Sequence, residues 1–263
     1  MSREQKPQIY YYARRGWHNS MIKFCDEIMQ KKGKDPTAIF WKAYALGMND
    51  NFDECRRQLD SFSSRRDLQL PATMALIHFA KKQKVKQMQK SYRGNNGSHV
   101  DHEYIDSLMS EMSVAEDVAK EPGLILSARF SLYTGDLETA SAISQRLLQQ
   151  CRGNPSTPVE LEAQTIDCWV AVQEATQQIA EYNKSQSLSG DGNGGLDVER
   201  ILSTSTQRKI QAIDDLVRGR GDQFDIDVSQ VFFFFLRFLL FLFVSVAICV
   251  VKSSYGHLII SPV

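Results

Sequence analysis

The sequence predicts an all-α fold: a solenoid of tetratricopeptide-like helical hairpins, followed by a C-terminal hydrophobic helix able to span a membrane. Three observations carry this expectation. Trp17 and Phe24 stand seven residues apart, and 35 residues later Phe52 and Leu59 repeat the pair. A third copy reads Leu132-Tyr133-Thr134-Gly135-Asp136-Leu137-Glu138-Thr139-Ala140, then Ile143 and Leu147. A helix–turn–helix period in the mid-thirties marks stacked hairpins that share one core. Finally, nothing in residues 1–225 alternates with period two, so no sheet is expected.

Each element has its own local reason. Residues 7–15 and 17–32 form the first pair, closed by Gly33 as a C′ residue. Asp35-Pro36 opens the next helix, with Asp as N-cap and Pro where a missing N–H costs nothing. That helix carries Ile39, Phe40, Ala43, Tyr44 and Leu46 on an i, i+3, i+4, i+7 stripe. Asn51 and Glu54 stand at capping-box spacing before Phe52, Cys55, Leu59 and Phe62. Another helix runs from Leu70 to about Lys84, through Met74, Ala75, Ile77 and Phe79. Residues 5–86 thus make a first block of hairpins, and 87–100 a polar, glycine-containing loop.

A second block, 101–184, begins with a helix through Ile105, Leu108, Met109 and Met112. Pro122 starts the next helix and Gly135 ends it, with Leu137 to Cys151 as its antiparallel mate. Asn154-Pro155-Ser156-Thr157-Pro158 is a turn, and a long helix follows to Tyr182. Residues 185–195 read as a linker, and 196–218 as an amphipathic helix with Val198, Ile201, Ile210, Ile213 and Leu216 inward. In these hairpins Gly16, Gly47, Gly135 and Ala140 are expected to close turns or admit a neighbouring helix. Trp17, Phe24, Phe52, Leu59 and Leu137 are expected to fill the space between pairs. The concave face, lined by the first helix of each pair, is the expected partner face. Tyr11, Arg14, Lys42 and Arg129 are its candidate exposed positions.

Residues 231–251 break the pattern. Of 21 residues only Arg237 and Ser245 are not apolar, and 1.5 Å per residue spans a bilayer's hydrocarbon core. Each Leu, Ile, Phe or Val favours insertion by about 0.3 to 0.6 kcal/mol, so seventeen of them outweigh one off-centre Arg. Two readings stay open: a tail anchor with the repeats in the cytosol, or sequence read through a splice site after Asp227.

Chemistry is otherwise sparse. Lys plus Arg equals Asp plus Glu at 31 each, so net charge points to neither nucleic acid nor lipid. Five cysteines (Cys25, Cys55, Cys151, Cys168, Cys249) show no C-x-x-C spacing, which fits free buried thiols. His99-x-x-His102 has no third metal ligand, and Asp191-Gly192-Asn193-Gly194-Gly195 lacks the glycine and glutamate of a calcium loop. His78 reads as a packed helix residue. No nucleophile–base motif or phosphate loop occurs, so no catalytic, metal, cofactor or small-molecule site is expected.

Ile9-Tyr10-Tyr11-Tyr12 with Trp17-His18, Asp35-Pro36 before Phe40-x-x-Ala43-Tyr44, Met74-Ala75-Leu76-Ile77-His78-Phe79-Ala80-Lys81 and the Gly135 hairpin occur in this order. Over roughly residues 5–180 this order resembles the N-terminal part of the tetratricopeptide repeat protein 21 family. Those are the large solenoid subunits of intraflagellar transport complex A. The resemblance implies a non-enzymatic scaffold in cytoplasm and cilium, acting in retrograde transport and cilium assembly, with other complex A subunits as partners. It also implies a truncated form, since such proteins continue through many more repeats. The alternative is a tail-anchored receptor or co-chaperone with a helical-repeat head in the cytosol.

Overall fold

The computed structural model describes residues 5–62, 65–91, 102–151, 158–189 and 201–211. The segments 92–101, 152–157, 190–200 and 212–263 lie outside the described residues, and with them the 231–251 run, most of the linker and His99. Among the described residues every regular element is helical: α1 (Gln5–Arg15), α2 (His18–Lys32), α3 (Pro36–Met48), α4 (Phe52–Asp60), α5 (Gln69–Ser91), α6 (His102–Val118), α7 (Glu121–Thr134), α8 (Leu137–Gln150) and α9 (Pro158–Ser189). No helix among them is long and apolar enough to cross a membrane. The contact pattern divides the chain into Met1–Ala163 and Gln164–Val263.

In the first unit successive helices pair as α1/α2, α3/α4, α5/α6 and α7/α8, and α5 also packs on α3 and α7. α3 is the central helix. Its buried residues Ala38, Phe40, Trp41, Ala43, Tyr44, Ala45 and Gly47 cover most of its circumference, and Ile39, Lys42 and Leu46 on the remaining side are partly buried. The stripe read from the sequence is therefore too narrow: Trp41 belongs to the core, whereas Ile39 and Leu46 are only partly buried. α4 is the opposite case, burying Cys55 and Leu59 one turn apart and leaving its remaining face to charged residues.

Helix ends follow the expected chemistry in most places. The Asp35 carboxylate accepts from the Thr37 and Ala38 amides at 2.9 and 3.2 Å. Asp136 accepts from the Thr139 amide at 3.1 Å and opens α8. Gly16 and Gly135 end α1 and α7 at φ +67° and +85°, a region costly for any residue with a Cβ. Two expectations fail. Asn51 makes no side-chain cap, and Gly47 does not close a helix. α3 continues to Met48, and Asp50, at φ +66°, makes the left-handed turn instead. Lys82 explains how a carboxylate residue holds that position. Its Nζ donates to the Met48 and Gly47 carbonyls at 3.2 and 3.4 Å and reaches the Asp50 carboxylate at 3.4 Å, while Lys86 binds the same carboxylate. Lys82 thus caps the negative end of α3, and Lys86 neutralises the Asp50 carboxylate beside it.

Two other helices outrun their expected ends. α5 reaches Ser91, so Gln87–Ser91 is helix and not loop, and α9 continues to Ser189. In the second unit Leu202 packs on Ala175 and Ile179, with Ile201 and Ile210 alongside. Gln178 anchors this contact by accepting from the Ser203 amide at 2.8 Å, and Lys209 pairs with Glu174 at 2.8 Å.

Although Gly47 does not end a helix, it does admit a neighbouring one. A Cβ there would lie 2.6 Å from ring carbons of Phe79, whose side chain is buried. Gly47→Ala gains about 0.5–1 kcal/mol of helix propensity, but the buried ring must shift at about 1–3 kcal/mol, so the clash wins. Urea denaturation is expected to show a net loss of about 1 kcal/mol, and smaller loss when Phe79→Leu is already present.

Candidate interaction surface

The first helices α1, α3, α5 and α7 turn large aromatic side chains toward one another. Tyr10 meets Trp41 edge-on at 5.8 Å, Trp41 meets Tyr44 at 5.6 Å, and Tyr44 meets Phe79 at 6.4 Å. Phe130 of α7 lies 6.2 Å from both Phe40 and Phe79, and Tyr133 lies 5.7 Å from Trp41 and 6.1 Å from Tyr10. α7 therefore reaches back to α1 and α3 as well as to α5. These first-helix faces, expected to line an open concave surface, are filled by rings at edge-to-face spacing.

Arg129 shows the consequence most plainly. Expected on the exposed partner face, it is 1% exposed. Its guanidinium stacks 4.3 Å above the Tyr10 ring, donates to the Tyr133 hydroxyl at 3.3 Å and pairs with Glu162 of α9 at 2.7 Å. Burial pushes the Glu162 carboxyl up, but the charge and hydrogen bond of Arg129 outweigh this and hold it below the usual carboxylate range. Lys42 is also engaged, pairing with Asp26 of α2 at 2.7 Å. Tyr11 and Arg14 are half-buried.

The repeat residues scatter across environments. Leu59, Leu137 and Ala140 are buried, and Phe24 and Phe52 are partly buried against the core. Trp17, expected between the hairpins, is 49% exposed. It caps the α1–α2 turn, edge-on to Tyr11 at 5.6 Å and 6.4 Å from Tyr12, which itself meets Phe24 at 5.9 Å. Arg15 lies 5.7 Å from the Tyr11 ring. The corner is aromatic, basic and solvent-facing, the composition of binding hot spots.

Little else offers chemistry. A cavity of about 340 Å³ opens between the N-terminal ends of α3 and α7, lined in part by Lys6, Tyr10, Asp35, Arg65, Asp67 and Glu121. Two of its carboxylates are structural: Asp35 caps α3, and Asp67 holds Arg65 at 3.0 Å. Cys25 and Cys55 are buried, and burial pushes each thiol up to about 12. Among the described residues no three His, Cys, Asp or Glu side chains come together to hold a metal. His78 lies between the rings of Phe79 and Phe130 at 5.1 and 5.6 Å, and His18 faces Tyr44 at 5.9 Å. Burial, reinforced by Lys82, pushes both imidazoles below their usual value.

The comparisons with known proteins agree with this architecture. The family described as "Tetratricopeptide repeat protein 21 N-terminal ARM repeat" matches residues 9–202. Tetratricopeptide repeat protein 21B of Xenopus laevis is 23% identical over 141 residues, which are 54% of this chain and 10% of that protein. The hairpins thus answer to an armadillo-type description of the family's N-terminal region, and the matched part is a tenth of the relative.

Two outcomes follow from the buried charges. Arg129→Ala strands the Glu162 carboxylate and is expected to cost about 3–5 kcal/mol by chemical denaturation, against under about 1 kcal/mol for Lys42→Ala. The unfolded state binds protons on His18 and His78 more readily than the folded state does. Stability is therefore full above the ordinary histidine value and falls as pH drops through the lowered folded values. Melting temperature should decline from pH 7 to pH 5, and less so in His18→Gln/His78→Gln.

Proposed function

The chain belongs to the tetratricopeptide repeat protein 21 family, and from that premise we propose that it is a protein–protein interaction scaffold of intraflagellar transport complex A. In this reading it acts in retrograde intraciliary transport and cilium assembly, in cytoplasm and cilium, with other complex A subunits as its partners. The supporting observation is the family match across residues 9–202, which covers the helical unit locked by the Trp41 aromatics. A rigid unit of this kind loses little conformational entropy on binding, which suits a scaffold.

The contact surface in this proposal is the Trp17 corner, which includes Tyr11 from the expected partner face. Arg129 is excluded from it by burial, and Lys42 contributes mainly to the α2–α3 contact. Trp and Tyr offer large contact area with few rotatable bonds, and truncating such an anchor typically costs about 2 kcal/mol or more. Affinity purification of the full chain from ciliated cells should recover transport complex subunits, and Trp17→Ala/Tyr11→Ala should reduce recovery at least tenfold. Absence of those subunits with the unaltered chain would sink the complex A assignment. Equal recovery with both chains would move the contact elsewhere.

A further inference from the structure

We propose that the α5–α6 hairpin is a self-association surface that docks on the same hairpin of a second copy, α5 of one over α6 of the other. Six large apolar side chains are exposed among the described residues, and five of them sit on this hairpin. Val85 and Met88 lie on α5 at 53% and 51% exposure; Met109, Val114 and Val118 lie on α6 at 43%, 63% and 45%. Lys81, Val85 and Met88 follow i, i+4, i+7 and so form one strip of α5. Ser110, Val114, Asp117 and Val118 likewise form one strip of α6. Four of the five fall on these two strips, a concentration on one supersecondary unit that marks a contact surface, whereas Met109 lies on the opposite side of α6 from Val118.

The charge pattern selects the occupant. From Lys81 onward α5 carries five lysines (Lys81, Lys82, Lys84, Lys86, Lys90) and no carboxylate. α6 carries five carboxylates (Glu103, Asp106, Glu111, Glu116, Asp117) and neither lysine nor arginine. Among the ion pairs between described residues none joins α5 to α6. Lys82 and Lys86 turn instead to Asp50, and Glu116 meets Arg146 at 4.0 Å. A wholly basic partner would be repelled by α5 and a wholly acidic one by α6. A second copy related by a twofold axis meets neither objection, because each helix faces its opposite twice.

The size of the patch sets the strength. Seventeen residues of α6 make a helix about 25 Å long, and two helices side by side are about 20 Å wide. That buries about 1,000 Å² over both copies, the lower edge for a specific interface, so a micromolar dimer is expected. This surface is separate from the Trp17 corner and does not depend on which complex the chain serves.

Sedimentation equilibrium of the full chain in mild detergent, from about 1 to 100 µM, tests the idea at the affinity such an area supports. The unaltered chain should pass from monomer to dimer over that range. Two charge variants change only exposed positions: one carries Asp106→Lys, Glu111→Lys and Asp117→Lys, the other Lys81→Glu and Val85→Glu. Each alone should weaken self-association at least tenfold, and a mixture of the two should restore a one-to-one dimer. The restored pairing also shows that both variants are folded. A chain that stays monomeric throughout overturns the proposal. So does a dimer indifferent to both variants, which would place association on another surface or on the apolar 231–251 run.

Discussion

Everything in the first unit depends on the packing around Trp41. Its indole is fully buried and meets Tyr10, Phe40, Tyr44 and Tyr133, so one side chain ties α1, α3 and α7 together. The indole N–H has no hydrogen-bond partner among the described residues, at a typical cost of about 1–3 kcal/mol. Burial of an aromatic side chain together with several edge-to-face contacts outweighs that cost. The arrangement accounts for the enclosed position of α3 and for the return of α7 toward α1. It also explains why the first-helix faces here do not form an open groove.

Charge is used in two different ways around that core. Arg129 enters it and is tolerated because Glu162, the Tyr133 hydroxyl and the Tyr10 ring replace the water it gave up. Its role is to fix the register of α7 against α1 and the start of α9. Lys82 stays at the margin, where it holds the exposed carbonyls at the end of α3 and lets Asp50 adopt a backbone conformation usual for glycine. The same lysine lies near both lowered histidines, so this corner disfavours additional positive charge.

Function of this kind rests on surface and rigidity. The buried thiols are held neutral, Asp35 and Asp67 in the cavity are spent on a cap and an ion pair, and the exposed chemistry is that of aromatic, charged and apolar surface. Membership of the tetratricopeptide repeat protein 21 family and an all-helical repeat architecture agree with a scaffold. The matched segment is only a tenth of the relative's length.

By itself the sequence determined the helices and many of their ends. Asp35-Pro36, Asp136 and Gly135 act through hydrogen bonds and backbone angles local to a few residues, and such effects are legible in a short window. The hairpin pairing followed from apolar periodicity, and the family followed from the order of short motifs. Tertiary structure decided which face of each helix is inside. Trp41 and Arg129 are buried and Gly47 faces a ring because of neighbours about 30 to 120 residues away in sequence, while Trp17, whose ring partners are local, is exposed. A helical stripe reports that some face is apolar, but not that α7 returns to enclose α3.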